Sequence, residues 1–217
     1  MIMTRSIFSR LTLIAALAST VPVATQVFPA IAAETPDGNV TAPINILDEA
    51  LKQIISPNAG SFADREKIMA NAVDQSYDLT TVLKASIGPV RYAGLSPDDQ
   101  TRLLKAFREY TIARYVSSFA PGSKISFKLG TDVRESPVGT GKIVPTRIIP
   151  DDGSDPTALD YVMVQTTGGW RIADVLLAGH ISQAAAQRAD FSSTLAASGV
   201  DGLISVLDRK VKAFSSK

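Results

Sequence analysis

His180 is the only histidine in the 217-residue chain, and Asp174 and Ser182 lie close to it in the sequence. Histidine titrates near neutral pH, so these residue types suit acid–base or triad chemistry. Side chains two positions apart in a helix do not face each other, which argues against a Ser–His pair. We therefore expect a noncatalytic histidine at a strand–helix corner. A pocket enzyme that uses Asp174 or His180 as a base remains an alternative.

Asp174 is the more informative residue, because it interrupts the apolar segment "RIADVLL". A buried carboxylate needs hydrogen-bond donors or access to water. A helix N-terminus offers free backbone N–H groups, so we predict that Asp174 caps a nearby helix. We expect Trp170 in the core. Arg188 is expected to pair with Asp78 or Asp174, or to extend along the surface.

Two further segments resemble ligand-binding motifs but lack essential parts of them. Asp151, Asp152 and Asp155 lie in a Gly/Pro turn without the spacing or distal glutamate of a calcium loop. "GTGK" at 139–142 lacks the earlier glycine and the Ser or Thr of a phosphate loop. With one histidine and no cysteine, the sequence predicts no metal site and no cofactor.

The N-terminal segment has the order of a secretory signal peptide. Arg5 and Arg10 precede the apolar run "LTLIAALASTVPVA" and the small-residue exit "PAIAAETP". We predict a signal peptide over 1–32, a disordered linker over 33–43 and a single domain over 44–217. Removing the two arginines changes the formal net charge from +1 to −1. A near-neutral chain without a basic block is not expected to bind nucleic acid.

Helical periodicity dominates the first half of the mature chain. Helices are predicted from Ile44 to Ser56, from Ser61 or Asp64 onward, over 80–86, and over a long segment opened by Ser96 and Pro97. Two more, at about 181–197 and 200–214, are separated at Gly199.

The segment after Pro121 alternates with a period of two. Strands are predicted in "KISFKL", "GKIVPTRIIP", "LDYVMVQTT" and "WRIADVLL", and the last two form a hairpin across Gly168-Gly169. Pro145 implies an edge strand or a bulge. Helices followed by antiparallel strands and further helices predict an α+β fold, with a sheet of about four strands covered by helices.

The stretch around Trp170 also carries a family resemblance. A Trp-Arg-Ile-x-Asp-Val strand, a glycine corner and a downstream Arg-x-x-Phe resemble the MlaC family, also called the toluene-tolerance auxiliary family; these residues are Trp170, Arg171, Ile172, Asp174, Val175, Gly179, Ser182, Arg188 and Phe191. Tyr77-Asp78 and the tail "SGVDGLISVLDRK" follow the family's order, and the resemblance covers 44–214. Departures are His180 in the corner and Tyr77 in place of phenylalanine.

The resemblance implies a noncatalytic periplasmic carrier that shuttles a lipid between the inner and outer membranes. Its implied partners are an inner-membrane ABC transporter with an MCE domain and an outer-membrane lipoprotein complex. The cargo is a phospholipid or a hopanoid, because the Ser/Ala-rich tail resembles the hopanoid-associated HpnM branch. The family holds acyl chains in an apolar cavity between a curved sheet and its helices.

On this basis ten residues of the predicted helices and strands are candidates for lining the cavity: Leu83, Phe107, Thr111, Tyr115, Ile125, Phe127, Val162, Val164, Trp170 and Ile172. A third possibility is a periplasmic adaptor that acts through its surface alone. An adaptor of that kind predicts a filled core without a sizeable cavity.

Overall fold

The computed structural model describes residues 39–137 and 139–216. The predicted signal peptide and residues 33–38 of the predicted linker lie outside this part. Helix α1 already begins at Ala42, so the last two residues of the predicted linker are helical. The remaining elements are α2 (Phe62–Ser76), α3 (Leu79–Ile87), α4 (Pro89–Ala93), α5 (Pro97–Ser118), β1 (Ile125–Leu129), β2 (Arg134–Glu135), β3 (Lys142–Pro150), β4 (Thr157–Thr166), β5 (Gly169–Leu177), β6 (Ile181–Ser182) and α6 (Gln183–Ser215), and α1 ends at Ile55.

Short polar side chains begin the helices where the sequence predicts. Ser61 and Asp64 form a reciprocal capping box at α2, and the Ser96 hydroxyl accepts a hydrogen bond from the Asp99 backbone N–H at α5. Helix α4 was not predicted, because Gly88-Pro89 is also a typical helix stop. Gly88 adopts a φ of +93°, and the proline after it starts a new helix.

The α+β prediction is confirmed, with a sheet larger than expected. The strand order is β1-β3-β4-β5-β6, all antiparallel, and β2 pairs with β3 beyond the end of β1. Strands β2 and β6 were not predicted, because each has only two residues and cannot show an alternating pattern. Pro145 lies in the interior strand β3, so of the two predicted alternatives, an edge strand or a bulge, the edge strand is wrong. The Pro145 carbonyl accepts a hydrogen bond from the Gly130 N–H, just after β1 ends. Because the nitrogen of Pro145 points to the same side as its carbonyl, the N–H that proline lacks would face the gap between β1 and β2, where no strand needs it.

A bulge in β5 determines which side chains face the helices. In the β4–β5 hairpin, Met163 pairs with Ile172 and Val162 pairs with Asp174, so Ala173 is the extra residue. Trp170 and Ile172 before the bulge, and Val175 and Leu177 after it, therefore share the inner face of the sheet.

The core lies between one half of this inner face and the helices. Residues of α1, α2, α3 and α5 pack there against the sheet, and strand β5 contacts α1, α2 and α3. The fully buried side chains include Ile44, Leu47, Leu51, Met69, Leu83, Phe107, Met163 and Ile172. Trp170 is 4% exposed, which confirms its expected place in the core. Within the described ranges, no helix combines the length and apolar character needed to cross a membrane.

Asp174 caps the last helix, as predicted. Its carboxylate accepts hydrogen bonds from the Ser182 hydroxyl (2.5 Å) and the Ala184 backbone N–H (3.1 Å) at the N-terminus of α6. Ser182 in turn accepts from the Ala185 N–H (3.0 Å). Helix α6 is interrupted where the sequence predicts, because Gly199 has nonhelical angles of φ 60° and ψ −157°.

Arg188 has a different partner from either predicted acid. Its Nε donates to the Ala85 carbonyl (2.8 Å) in the last turn of α3. Free carbonyls at a helix C-terminus attract cationic donors, and the sequence pattern does not reveal this alternative. This hydrogen bond links α3 to α6 at the protein surface.

Replacing Asp174 by alanine is expected to lower the free energy of unfolding by about 1–2 kcal/mol, because helix α6 loses its side-chain cap. Urea unfolding at pH 7 measures the change. Asp190→Ala, which removes an exposed acid from the same helix, serves as the control. Equal losses in the two variants would contradict the capping role.

Candidate functional site

A cavity of about 270 Å³ lies beside the core, between the inner face of the sheet and the helices. Its lining is mostly apolar or aromatic and comes from nearly every large element. The residues are Asp48, Leu51, Tyr77, Leu79, Val82, Phe107, Thr111, Arg114, Tyr115, Ser118, Phe119, Phe127, Thr146, Ile148, Thr157, Leu159, Tyr161, Asp174, Val175, Leu177, Gln183, Ala184 and Gln187.

Four of the ten candidate residues line this cavity. Phe107, Thr111 and Tyr115 lie along one stripe of α5, and Phe127 lies on β1. The spacing of four residues on α5 repeats about once per helical turn, so the three side chains share a face. Phe119 extends this stripe and stacks on Tyr115, with ring centroids 6.2 Å apart. Contact of these residues with a lipid stays a prediction.

The other six candidates do not line the cavity. Leu83, Trp170 and Ile172 are buried in the core, and Ile125 is the first residue of β1, on its inner face. Val162 and Val164 lie on the outer face, so their prediction is wrong. The two-residue loop at 167–168 pairs Val164 with Arg171, which places even-numbered residues of β4 on the face opposite Trp170 and Ile172.

The exposure of the lining residues distinguishes an open end from a closed end. Ser118, Thr157 and Leu177 are exposed to solvent and mark the mouth. Buried residues form the inner end. Here α1 contributes Leu51 and Asp48 to the lining.

Asp48 is a buried carboxyl that faces the cavity. It is 8% exposed, and no described residue forms a hydrogen bond or ion pair with it. Burial raises its pKa to about 6, Lys52 opposes this increase and Glu49 adds to it. Lys52 itself is exposed and hydrogen-bonds to Glu49 (2.6 Å). The cavity therefore contains an acid whose oxygens have no protein donor.

Three tyrosine side chains line the same cavity as this carboxyl. The Tyr77 and Tyr115 hydroxyls form a hydrogen bond, and Tyr161 interacts with Tyr115. Burial raises the pKa of Tyr115 to about 12 and also raises the pKa values of Tyr77 and Tyr161 well above their ordinary value, so all three are neutral phenols. We refer to Asp48, Tyr77, Tyr115 and Tyr161 as the inner polar cluster. Asp48 and Tyr161 were not predicted from the sequence, because both look like ordinary positions on amphipathic elements.

The other charged and amide side chains of the lining have protein partners. Arg114 donates to the Gln183 side-chain oxygen (2.7 Å), and the Gln187 oxygen accepts from Ser86 (2.7 Å). Arg114 is the one basic residue in the lining and lies near enough to Tyr77 and Tyr115 to lower their pKa values. Its effect is smaller than that of burial.

The residues first considered for catalysis do not form a reactive set. Ser182 donates to Asp174, and the His180 ring contacts the Ala178 carbonyl (2.7 Å) at an exposed corner. Asp152 accepts from Ser154 in the exposed β3–β4 turn. In the described part of the chain, no group of three or more His, Asp or Glu side chains is placed to hold a metal ion.

Asp48→Asn is expected to stabilise the protein above pH 6 and to have little effect near pH 4. The folded-state pKa is about 6, against 3.8 for the unfolded chain, so the wild-type protein loses stability as pH rises through this window. The gain in the variant at pH 7 is about 1–3 kcal/mol. Urea unfolding of both proteins at pH 4 and pH 7 measures it.

The control is Asp132→Asn, which changes an exposed acid in the β1–β2 loop. Its stability difference from wild type is expected to stay constant between the two pH values. A constant difference for Asp48→Asn as well would show that the Asp48 carboxyl is solvated in the folded protein.

Comparisons with known proteins agree with this architecture. A structure of a phospholipid-binding protein from Ralstonia solanacearum, in complex with a phospholipid, matches with a TM-score of 0.67 and 18% sequence identity, covering 81% of this chain and 98% of that chain. At this identity the likeness concerns the fold alone. No curated protein sequence matches the chain. The family model described as MlaC protein matches residues 45–209. Since this match spans most of the sequence, the chain belongs to the MlaC family.

Proposed function

We propose that the chain is a periplasmic lipid-binding shuttle protein, not an enzyme, that carries a phospholipid or a hopanoid between the inner and outer membranes. The proposed partners are an inner-membrane ABC transporter with an MCE domain and an outer-membrane lipoprotein complex. Residues 1–32 are proposed to direct export, and residues 44–217 to form the lipid-binding domain. The observation that carries the proposal is the apolar cavity between sheet and helices in a member of the MlaC family.

The energetics of lipid in water explain why a carrier needs such a cavity. Two acyl chains with about 30 methylenes cost about 24 kcal/mol to expose, at about 0.8 kcal/mol per methylene. Enclosing the chains removes most of this cost. The carrier must nevertheless bind no more tightly than a membrane does, because a tighter complex could not deliver its cargo.

The cavity size indicates how the cargo is accommodated. A volume of about 270 Å³ is just below the range of about 300–1,000 Å³ that is typical of ligand pockets. A lipid with two chains therefore requires the sheet and helices to separate further, whereas one chain or a compact ring system requires less. The Ralstonia solanacearum protein of similar fold binds a phospholipid, which supports lipid as the class of cargo.

Two alternatives have less support from the same residues. The enzyme alternative uses Asp174 or His180 as the base, but the Asp174 carboxylate is engaged by Ser182 and Ala184, and His180 is exposed outside the cavity. A surface adaptor predicts a filled core, which the cavity contradicts.

Val175→Trp is expected to reduce lipid uptake at least about tenfold, because the larger side chain fills the cavity that Val175 lines. The assay mixes delipidated protein with phosphatidylglycerol vesicles containing a fluorescent phospholipid, re-isolates the protein and measures the bound label. Mass spectrometry of lipid that copurifies from the native host provides a second readout.

Val164→Trp is the matched control. It introduces the same change at another half-buried valine of the hairpin, but on the outer face of the sheet. Circular dichroism checks that both variants are folded. Wild-type protein that takes up no lipid, or equal uptake by the two variants, would overturn the proposed site.

A further inference from the structure

The inner polar cluster is more polar than enclosure of hydrocarbon requires. Asp48, Tyr77 and Tyr161 are each at least nine-tenths buried, and all four cluster residues line the cavity. They come from four different parts of the fold: α1, the end of α2, α5 and β4. Burying a carboxyl without a partner is unfavourable, so the arrangement points to a ligand group that completes it.

The inner polar cluster has hydrogen-bond donors and an acceptor that no group in the described part of the chain uses. Three hydroxyls carry three hydrogens, and the Tyr77–Tyr115 hydrogen bond uses one of them. Phenolic O–H groups therefore remain as donors. The Asp48 carboxyl, which no described residue contacts through a hydrogen bond, remains as an acceptor. Donor and acceptor both face the cavity.

We infer that the inner polar cluster binds a hydroxyl group carried on the apolar part of the cargo. The hydroxyl donates to Asp48 and accepts from a free phenolic hydrogen, so it satisfies the carboxyl and one of the remaining donors. This inference rests on the proposed lipid carrier and narrows its cargo. Hydroxyls of this kind occur on hydroxylated acyl chains and on polycyclic terpene alcohols.

Charge favours a hydroxyl over the other polar groups of lipids. A phosphate or carboxylate at this position would be repelled by Asp48 in its ionised form. An ammonium could pair with Asp48, but Arg114 lies near Tyr77 and Tyr115 and would repel it. An ammonium also has no acceptor for the phenolic hydrogen, which would stay unsatisfied.

The test compares cargo pairs that differ only in the hydroxyl. Delipidated full-length mature protein is mixed with phosphatidylglycerol vesicles that contain a trace of radiolabelled lanosterol or its methyl ether, and the re-isolated protein is counted. A second arm compares labelled phosphatidylglycerol bearing a hydroxystearoyl chain with its stearoyl counterpart. We expect a preference of about tenfold for the hydroxyl in the arm that matches the natural cargo.

Two variants locate the preference in the cluster. Asp48→Leu and Tyr161→Phe are each expected to abolish it, measured as the ratio of uptake within each cargo pair, so that a change in overall uptake cancels. Asp48→Asn, which keeps an acceptor and the size of the side chain, is expected to retain part of it. Tyr110→Phe is the matched control, because Tyr110 is a buried tyrosine outside the cavity lining.

The outcomes separate this inference from the proposed function. A preference in the lanosterol arm identifies a terpene alcohol, and one in the hydroxystearoyl arm identifies a hydroxylated acyl chain. Equal uptake within both pairs, or a preference that survives Asp48→Leu and Tyr161→Phe, overturns the inference but leaves the carrier intact. Absence of any uptake overturns the proposed carrier itself.

Discussion

The bulge at Ala173 is the constraint on which the rest of the structure depends. Because one extra residue is inserted in β5, Trp170 and Ile172 on one side and Val175 and Leu177 on the other all face the helices. Bulges bend a strand and redirect its side chains. The bulge lies between the filled part of the inner face and the part that borders the cavity. It also places Asp174 where it meets the N-terminus of α6.

The division of the inner face separates stability from binding. Before the bulge, Trp170 and Ile172 are buried in the hydrophobic core, where burial of apolar surface stabilises the fold. After the bulge, Val175 and Leu177 border the cavity and retain exposed surface. Widening the cavity for a larger cargo can therefore disturb the second half while the first remains packed.

Local signals in the sequence were sufficient for the fold class and only partly sufficient for the site. Caps such as Ser96, the change of period after Pro121 and the isolated acid Asp174 each have a short-range physical cause, and each was predicted correctly. The α5 stripe of Phe107, Thr111 and Tyr115 follows from helical spacing alone. The prediction that Val162 and Val164 line the cavity was wrong, because the face on which a side chain lies depends on the hairpin register. The two-residue loop pairs even-numbered residues of β4 with odd-numbered residues of β5 up to the bulge. Asp48 was not predicted, because its burial without a hydrogen-bond partner arises only when several elements pack around it.

Helix α1 connects the two halves through neighbouring residues. Leu47 and Leu51 anchor the core, and Asp48 between them reaches the cavity. Replacing this carboxyl with an apolar side chain would relieve the cost of burying it, since a buried polar group without a partner destabilises the folded state. With Asp48 at this packed position, the folded protein is therefore less stable than it would be with an apolar residue there. A destabilising residue of this kind is expected at a binding site, because a bound ligand can supply the hydrogen bonds that the protein lacks.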